Sequence, residues 1–354
     1  MKVIIAAGGT GGHVYPAKLV AEKLDTYGHS IFWIGKKGSL EEKIASDADF
    51  KFIELFSIGF LGKGILEKVY SLIRLFINIM RSLILLLNIR PGFVFSTGGY
   101  TSLSVGIASW ILKIPLFIHE QNSVSGLSNR ILNKISTKTF VAFKGSFQES
   151  SKVILVGNPI RKDFFNNNMN YSTDKHSINL LVLGGSQGSE QLNRIFLKAL
   201  KNIKEKDKLQ VVHQSGELEK ETVKEEYKSL GIKSEVFDFR DDIAKLYLNS
   251  DLIISRAGAM TISEIIASEK PSILLPLPWA SNNHQFHNAK LLEDKGAAYI
   301  INSDPKNYIK LSEILNRLIS DELERERMSN SARILKIFDS TEKIIDEINE
   351  FLRL

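Results

Sequence analysis

Ile4-Ile5-Ala6-Ala7-Gly8-Gly9-Thr10-Gly11-Gly12-His13 runs a short apolar strand into a glycine-rich turn and then a helical pattern. Leu180-Leu181-Val182-Leu183-Gly184-Gly185-Ser186-Gln187-Gly188-Ser189 does the same half a chain later. A strand-turn-helix of this kind aims unpaired backbone N–H groups and the positive end of a helix dipole at one point, and its glycines let an anion approach the backbone. One such loop says little. Two of them imply paired domains facing a shared cleft, each able to hold a phosphate-bearing ligand.

The rhythm around both loops agrees. In the first half, strands near 2–6, 30–35, 51–55, 93–96, 115–118 and 138–141 alternate with helices near 14–27, 65–87, 102–112 and 126–133. The second half repeats this with strands near 178–183, 209–213, 234–237, 251–254, 272–275 and 298–300. Alternation of this type predicts parallel sheets covered by helices, hence an α/β chain of two Rossmann-like, doubly wound domains. Val156-Gly157-Asn158-Pro159-Ile160-Arg161 and the polar stretch 166–179 interrupt the periodicity, which puts the linker near 157–175 and divides the chain into 1–160 and 161–339. Over 340–354, Ile344, Ile345, Ile348, Phe351 and Leu352 recur at helical spacing. That helix must cover apolar surface, and the first domain is one place for it.

Composition narrows the class. At 354 residues the chain suits two domains of about 150–180 residues, and 44% apolar residues are enough to fill two cores. The absence of cysteine excludes disulfides, thiolate metal sites and cysteine nucleophiles. Met1-Lys2-Val3-Ile4-Ile5 reads as a first strand rather than a signal peptide, so a cytoplasmic chain is expected. A net charge of +6 is compatible with an anionic lipid or nucleotide partner and decides nothing alone.

The first loop departs from a dinucleotide fingerprint. Val14 stands where the third glycine belongs, and the second strand ends Trp33-Ile34-Gly35-Lys36 without an acid for a ribose hydroxyl. The Gly-Lys-Ser/Thr ending of a P-loop is missing too, so neither a nicotinamide or flavin cofactor nor ATP hydrolysis is supported. What the loop does carry is His13 at the start of a helix, where a positive dipole end favours the neutral ring that can take a proton from a hydroxyl. The alternative is a histidine that only caps or packs the turn.

Further polar groups follow other strands. Thr97-Gly98-Gly99-Tyr100 closes a third glycine turn, and His119-Glu120-Gln121-Asn122 comes directly after an apolar run. Asn122 suits a sugar hydroxyl because its amide both donates and accepts; Glu120 is either a second candidate base or a loop anchor. In the second half, Arg256-Ala257-Gly258-Ala259-Met260-Thr261-Ile262-Ser263-Glu264 opens a helix whose N–H groups can receive a diphosphate while Glu264 pairs with ribose hydroxyls. Asn282-Asn283-His284-Gln285 opens the next helix with a polar set suited to reading a sugar.

Taken together and in this order, these motifs, with Gly157-Asn158-Pro159-Ile160-Arg161 and His213-Gln214-Ser215-Gly216, resemble the MurG family of UDP-N-acetylglucosamine transferases. These convert lipid I to lipid II in peptidoglycan synthesis. The resemblance implies a GT-B fold, with the donor in the C-terminal domain, the lipid-linked acceptor against the N-terminal one, and no cofactor. It implies that Ser186 and the helix start Ala259, Met260, Thr261, Ile262, Ser263 and Glu264 hold UDP, with Glu264 on the ribose. Arg240 would meet uracil through its backbone, and Gln285 and Asn122 the N-acetylglucosamine. Arg161 would reach the donor from the hinge, while Thr10, Gly11 and Gly12 line the acceptor side. The implied reaction inverts configuration in one displacement onto the C4 hydroxyl of N-acetylmuramoyl-pentapeptide diphosphoundecaprenol, with His13 the first candidate base. Helix-end N–H groups would stabilise the leaving diphosphate without a metal.

A membrane surface is a second expected partner; nucleic acid is not. The segment 65–87 holds sixteen aliphatic, aromatic or methionine side chains beside Lys63, Lys68, Arg74 and Arg81, more apolar surface than one sheet face needs. Arg74, Asn78 and Arg81 interrupt it, so an interfacial helix on the cytoplasmic face of the cell membrane is preferred to a spanning one, with Trp110 as a further anchor. Complete packing into the core is the alternative. In Ser57-Ile58-Gly59-Phe60-Leu61-Gly62-Lys63, Phe60 and Leu61 stand where family members often carry arginine. Two rivals keep the same donor: a UDP-N-acetylglucosamine 2-epimerase, and a non-catalytic nucleotide-sugar sensor docked on the membrane.

Overall fold

The computed structural model describes residues 1–55, 65–165, 177–185 and 188–353, with residues 65–69 described as backbone only. The chain forms two compact units, Met1–Ile160 with Phe338–Leu354, and Arg161–Ile337.

In the first unit β1 (Lys2–Ala7), α1 (Gly11–Thr26), β2 (Ser30–Gly35), α2 (Leu40–Asp47), β3 (Lys51–Glu54), α3 (Ile65–Ile89), β4 (Phe93–Gly98), α4 (Tyr100–Ile111), β5 (Leu116–Glu120), α5 (Leu127–Asn133), β6 (Lys138–Val141) and β7 (Val153–Leu155) follow in order. The seven strands form one parallel sheet, order β3-β2-β1-β4-β5-β6-β7. Side chains of a strand alternate faces, and β1 shows it. Val3, Ile5 and Ala7 enter one core with Val14, Trp33, Phe93 and Phe95; Ile4 and Ala6 enter the other with Leu86, Val94, Leu103 and Ile118. Both faces are dry because both carry helices.

Short elements escaped the periodicity. The eight residues of α2 and the three of β7 carry too few apolar repeats to stand out, and β7 exists through its pairing with β6, Thr139 to Val153 onward.

The second unit repeats the design with β8 (Ile178–Leu183), α6 (Glu190–Leu200), β9 (Leu209–Gln214), α7 (Lys220–Ser229), β10 (Lys233–Phe237), α8 (Ile243–Leu248), β11 (Leu252–Ser255), α9 (Ala259–Ser268), β12 (Ser272–Leu274), α10 (His284–Glu293), β13 (Ala298–Ile300), α11 (Tyr308–Ser320) and α12 (Glu322–Ile334). Its parallel sheet has the order β10-β9-β8-β11-β12-β13. Leu180 and Val182 of β8 pack with Leu192, Phe196, Val211, Ile254 and Leu315.

The last helix, α13 (Ser340–Leu352), belongs to the first unit. Its Ile344, Ile345 and Ile348 are at most 1% exposed inside the α1 side of that core. Lys138 Nζ meets Glu347 Oε2 at 2.6 Å, and the Phe351 ring stands edge-on to Phe117.

Candidate functional site

Each sheet reverses its strand order once, between β1 and β4 in the first unit and between β8 and β11 in the second. Loops leaving the carboxyl ends of strands diverge at such a point and leave a crevice for ligands. Both glycine loops singled out in the sequence start there.

In the first unit, the loop after β1 touches the turn after β4. Gly99 has φ +94°, and a Cβ on it would stand 2.3 Å from the Gly8 carbonyl oxygen, so only glycine allows this approach. The pairing of β1 with β4 slips by one residue beyond Ala6, and Thr97 donates from Oγ1 to the His13 carbonyl at 2.9 Å. No side chain caps α1 at Thr10 or α4 at Gly99. A helix start without a side-chain cap keeps N–H groups for water or a ligand. Thr10, Gly11 and Gly12 form the exposed to half-buried rim of this loop. Behind it Glu41 is buried, and a Cβ on Gly8 would stand 2.9 Å from its Oε1.

His13 is half-buried on the first turn of α1, with Nδ1 2.8 Å from Gln121 Oε1. Gln121 is fully buried; its Nε2 lies 2.9 Å from the His119 carbonyl and 3.0 Å from His119 Nδ1. His119 Nε2 lies 2.9 Å from the Gly157 carbonyl. Burial pulls the His119 pKa down to about 4; the Gly157 carbonyl opposes this and the nearby His13 adds to it.

Glu120 is also buried, and it accepts from Asn122 N (3.0 Å), Asn122 Nδ2 (3.3 Å), Gly126 N (3.0 Å) and Asn129 Nδ2 (3.0 Å). A carboxylate so occupied pins the loop and orients Asn122; it is poorly placed to take a substrate proton.

In the second unit, Ser186 and Gln187 lie outside the described residues. Beside them, Gly188 has φ +73°, and a Cβ there would stand 2.5 Å from the Ser215 carbonyl oxygen. Ser189 caps α6 through Oγ, and Arg256 donates to the same oxygen from Nη2 at 2.6 Å and Nε at 3.0 Å. Arg256 also donates to the Leu275 carbonyl (2.9 Å), Ser303 Oγ (2.7 Å) and Gln191 Oε1 (3.2 Å). Among the described residues its acceptors are all neutral, and burial lowers its pKa to about 10. The unit thus holds a fixed cation behind its glycine loop. Arg256 opens the Arg256–Glu264 motif without a role of its own in the sequence, although a lone basic residue at the end of an apolar strand is a usable signal.

The neighbouring α9 starts at Gly258 with no side-chain cap. Ala259, Ile262 and Ser263 turn buried side chains inward, so this end offers backbone rather than side chains; Met260 and Thr261 are half-buried. Glu264 Oε2 accepts from Tyr247 Oη at 2.9 Å. Burial raises the Glu264 carboxyl, against smaller lowering effects from the Tyr247 phenol and the Arg161 guanidinium. Tyr247 was invisible as a site residue because only the tertiary fold brings α8 against α9.

Arg161 donates to the Asp241 carbonyl at 2.8 Å and lies over the Phe164 ring. Arg240 grips Asp242 in two hydrogen bonds (2.8 and 2.7 Å) and also meets Glu235, so its side chain is spent inside the unit. Gln285 Oε1 accepts from Leu277 N (3.0 Å) and Ala257 N (3.3 Å), which settles which side of its amide carries the donors. His213 is a core group. Its Nε2 donates to Asn193 Oδ1, its Nδ1 accepts from Tyr227, and burial lowers its pKa to about 3. Among the described residues no group of three or more His, Asp or Glu is placed to hold a metal ion.

On α3, Leu72, Ile73, Phe76, Ile77, Met80, Ile84 and Leu87 are exposed, and Trp110 and Ile111 of α4 are exposed as well. Leu75, Leu83, Leu86 and Ile89 of α3 face the core. The helix is therefore apolar on both sides and covered on one, which removes the fully buried alternative for its described part. The Ser57–Lys63 loop lies outside the described residues.

Residues 3–141 match the glycosyltransferase family 28 N-terminal domain and residues 179–346 the family 28 C-terminal domain. A protein of Coxiella burnetii, 34% identical over 99% of this chain and 98% of its own, is named UDP-N-acetylglucosamine--N-acetylmuramyl-(pentapeptide) pyrophosphoryl-undecaprenol N-acetylglucosamine transferase. One of Vesicomyosocius okutanii, 36% identical over 98% of this chain and 96% of its own, has the same name. The crystal structure of Acinetobacter baumannii MurG superposes with a TM-score of 0.82 at 28% identity, covering 99% of both chains.

Proposed function

Since the chain belongs to glycosyltransferase family 28 and has its GT-B fold, we propose the activity its relatives are named for. It is an inverting transferase that moves N-acetylglucosamine from UDP-N-acetylglucosamine to the C4 hydroxyl of undecaprenyl-diphosphate-linked N-acetylmuramoyl-pentapeptide. The observation that carries this reading is similarity to transferases along nearly the whole chain. The same similarity disfavours the epimerase and the non-catalytic sensor.

The second unit is assigned the donor. Backbone N–H groups in the first turn of α9, whose start has no side-chain cap, take the diphosphate, with the buried Arg256 adding a positive field behind the adjoining loop. Glu264, held by Tyr247, binds the ribose; Arg240 serves uracil by its main chain, and Arg161 stands beside both. Gln285 presents its amide N–H groups to the sugar, and Asn122 of the first unit is assigned to it as well. Ser186 keeps the UDP role implied by the family resemblance. The first unit takes the acceptor, with Thr10, Gly11 and Gly12 toward its diphosphate and His13 as general base. As the acceptor oxygen attacks C1, its proton passes to His13 Nε2, the C1–O bond to UDP breaks, and the electron pair leaves with the diphosphate.

Removing the ribose ligand tests the donor half. Glu264→Ala is expected to weaken UDP binding by about 1.5–3 kcal/mol, the range for hydrogen bonds to charged groups, or roughly 10- to 150-fold in Kd. Titration calorimetry with UDP reads this directly, and an unchanged Kd would remove Glu264 from the site.

The exposed face of α3 supports a peripheral membrane role. Its buried face already belongs to the unit's core, so lipid cannot surround it, and Arg74 and Arg81 accompany the apolar stripe. We assign this face to the cytoplasmic leaflet of the cell membrane, where the lipid-linked acceptor resides. Phe76→Ser with Ile84→Ser should cut co-sedimentation with anionic phospholipid vesicles at least several-fold while leaving UDP affinity unchanged. Undiminished vesicle binding would count against this face. For the reaction itself, labelled UDP-N-acetylglucosamine and a lipid I analogue should give labelled disaccharide lipid; none formed by the wild-type protein would overturn the transferase reading.

A further inference from the structure

The structure assigns Gln121 and His119 as positioning residues that hold His13 as the Nδ1–H tautomer, leaving Nε2 bare to receive the acceptor proton. This rests on His13 being the base and deepens that reading. The hydrogen-bond directions follow from the one end whose chemistry is unambiguous. The Gly157 carbonyl can only accept, so His119 Nε2, 2.9 Å away, carries a proton. A neutral His119 then has a bare Nδ1, which must accept from Gln121 Nε2 at 3.0 Å. The second N–H of that amide goes to the His119 carbonyl at 2.9 Å, again an acceptor only. Both amide hydrogens are thereby used, and Gln121 Oε1 is the atom facing His13 Nδ1 at 2.8 Å.

An amide oxygen accepts and never donates, so His13 Nδ1 must be the protonated nitrogen. Turning the amide over would set its oxygen against the His119 carbonyl and its NH2 against His13, breaking two bonds at once. Gln121 and His119 are 0% exposed, which leaves water no route to offer a substitute partner, and burial keeps His119 neutral. Asn129 Nδ2 adds a bond to the His119 carbonyl at 3.1 Å, and Asn158 Nδ2 one to the Gln121 carbonyl at 3.1 Å, so the strand end is fastened from two further sides.

The chain orients; it does not conduct. When His13 Nε2 takes the acceptor proton, the O–H electron pair forms the bond to C1 and the imidazolium still donates from Nδ1 to Gln121. The amide has no lone proton to pass on, so the charge stays on His13 until Nε2 releases the proton to water after UDP leaves.

Two-bond 1H–15N correlation spectra of 15N-histidine-labelled protein test this without relying on activity, with His13 signals identified by their loss in His13→Ala. The expected wild-type spectrum, with both rings neutral, shows Nδ1 protonated and Nε2 bare for His13, and the reverse for His119. Gln121→Met should move His13 toward the Nε2–H form and lower kcat by roughly 10- to 100-fold, part of what a positioned base contributes, with KM for UDP-N-acetylglucosamine within about twofold. Wild-type His13 carrying its proton on Nε2 would overturn the proposal even if Gln121→Met fails to fold. So would a folded Gln121→Met with unchanged kcat. An active His13→Ala would instead remove the base assignment, and an inactive wild type the transferase reading, with the tautomer still measured.

Discussion

His13→Ala lowers kcat for disaccharide-lipid formation by about 10²- to 10⁴-fold, the contribution of a positioned general base, while UDP binding is unchanged. The effect is large because the candidate groups of the His119–Asn122 segment are already occupied. Glu120 spends its carboxylate on four N–H groups, and His119 is buried with both ring nitrogens engaged. Binding should persist because His13 belongs to the first unit and UDP is assigned to the second. The measurement is steady-state transfer to a lipid I analogue beside calorimetric titration with UDP. Activity within a few-fold of wild type would remove His13 as the base. Loss of UDP affinity would instead recast it as a donor ligand.

Gly99→Ala is expected to be nearly as damaging by a different route. The left-handed φ of +94° costs a non-glycine residue about 1–3 kcal/mol of strain, and the new methyl would lie 2.3 Å from the Gly8 carbonyl. That contact is with backbone, which cannot rotate away, so the β1 and β4 loops must separate. Strain plus overpacking, at about 1–3 kcal/mol for the latter, falls on the seam that also holds Thr97 against His13. Hydrogen exchange followed peptide by peptide should show faster exchange over residues 4–13 and 93–105, with unchanged protection in the second unit. That local readout is preferable to one unfolding midpoint, because a chain of two units need not unfold in two states. Wild-type protection over those residues would mean the loops tolerate the methyl and that the close approach carries no constraint.

Much of this protein was legible before its structure. Alternating strand and helix patterns identified a pair of doubly wound units because hydrophobic periodicity is a local property. The glycine turns could be located for the same reason: φ > 0 and close approach demand glycine wherever they occur. Even the apolar excess of 65–87 was readable as surface in need of a partner, though not which side of the helix the core would cover. Single residues were harder. Glu120 and the Arg240 side chain are bonded to neighbours within their own units, whereas Tyr247 lies in a segment that looks ordinary and Arg256 opens a motif read for its backbone rather than its side chain.

Sequence alone determined the kind of scaffold, the places where backbone could meet phosphate, and the candidate base. Residue type and spacing are enough for those, since each depends on a few neighbouring dihedrals or one side chain's titration range. Tertiary structure decided which helix starts lack a side-chain cap, that a buried arginine whose partners among the described residues are neutral stands behind the second loop, and which nitrogen of His13 bears its proton. These depend on atoms brought together across as many as 108 positions of chain, as His13 and Gln121 are. A hydrogen bond's direction is set by the whole set of partners rather than by any residue in it.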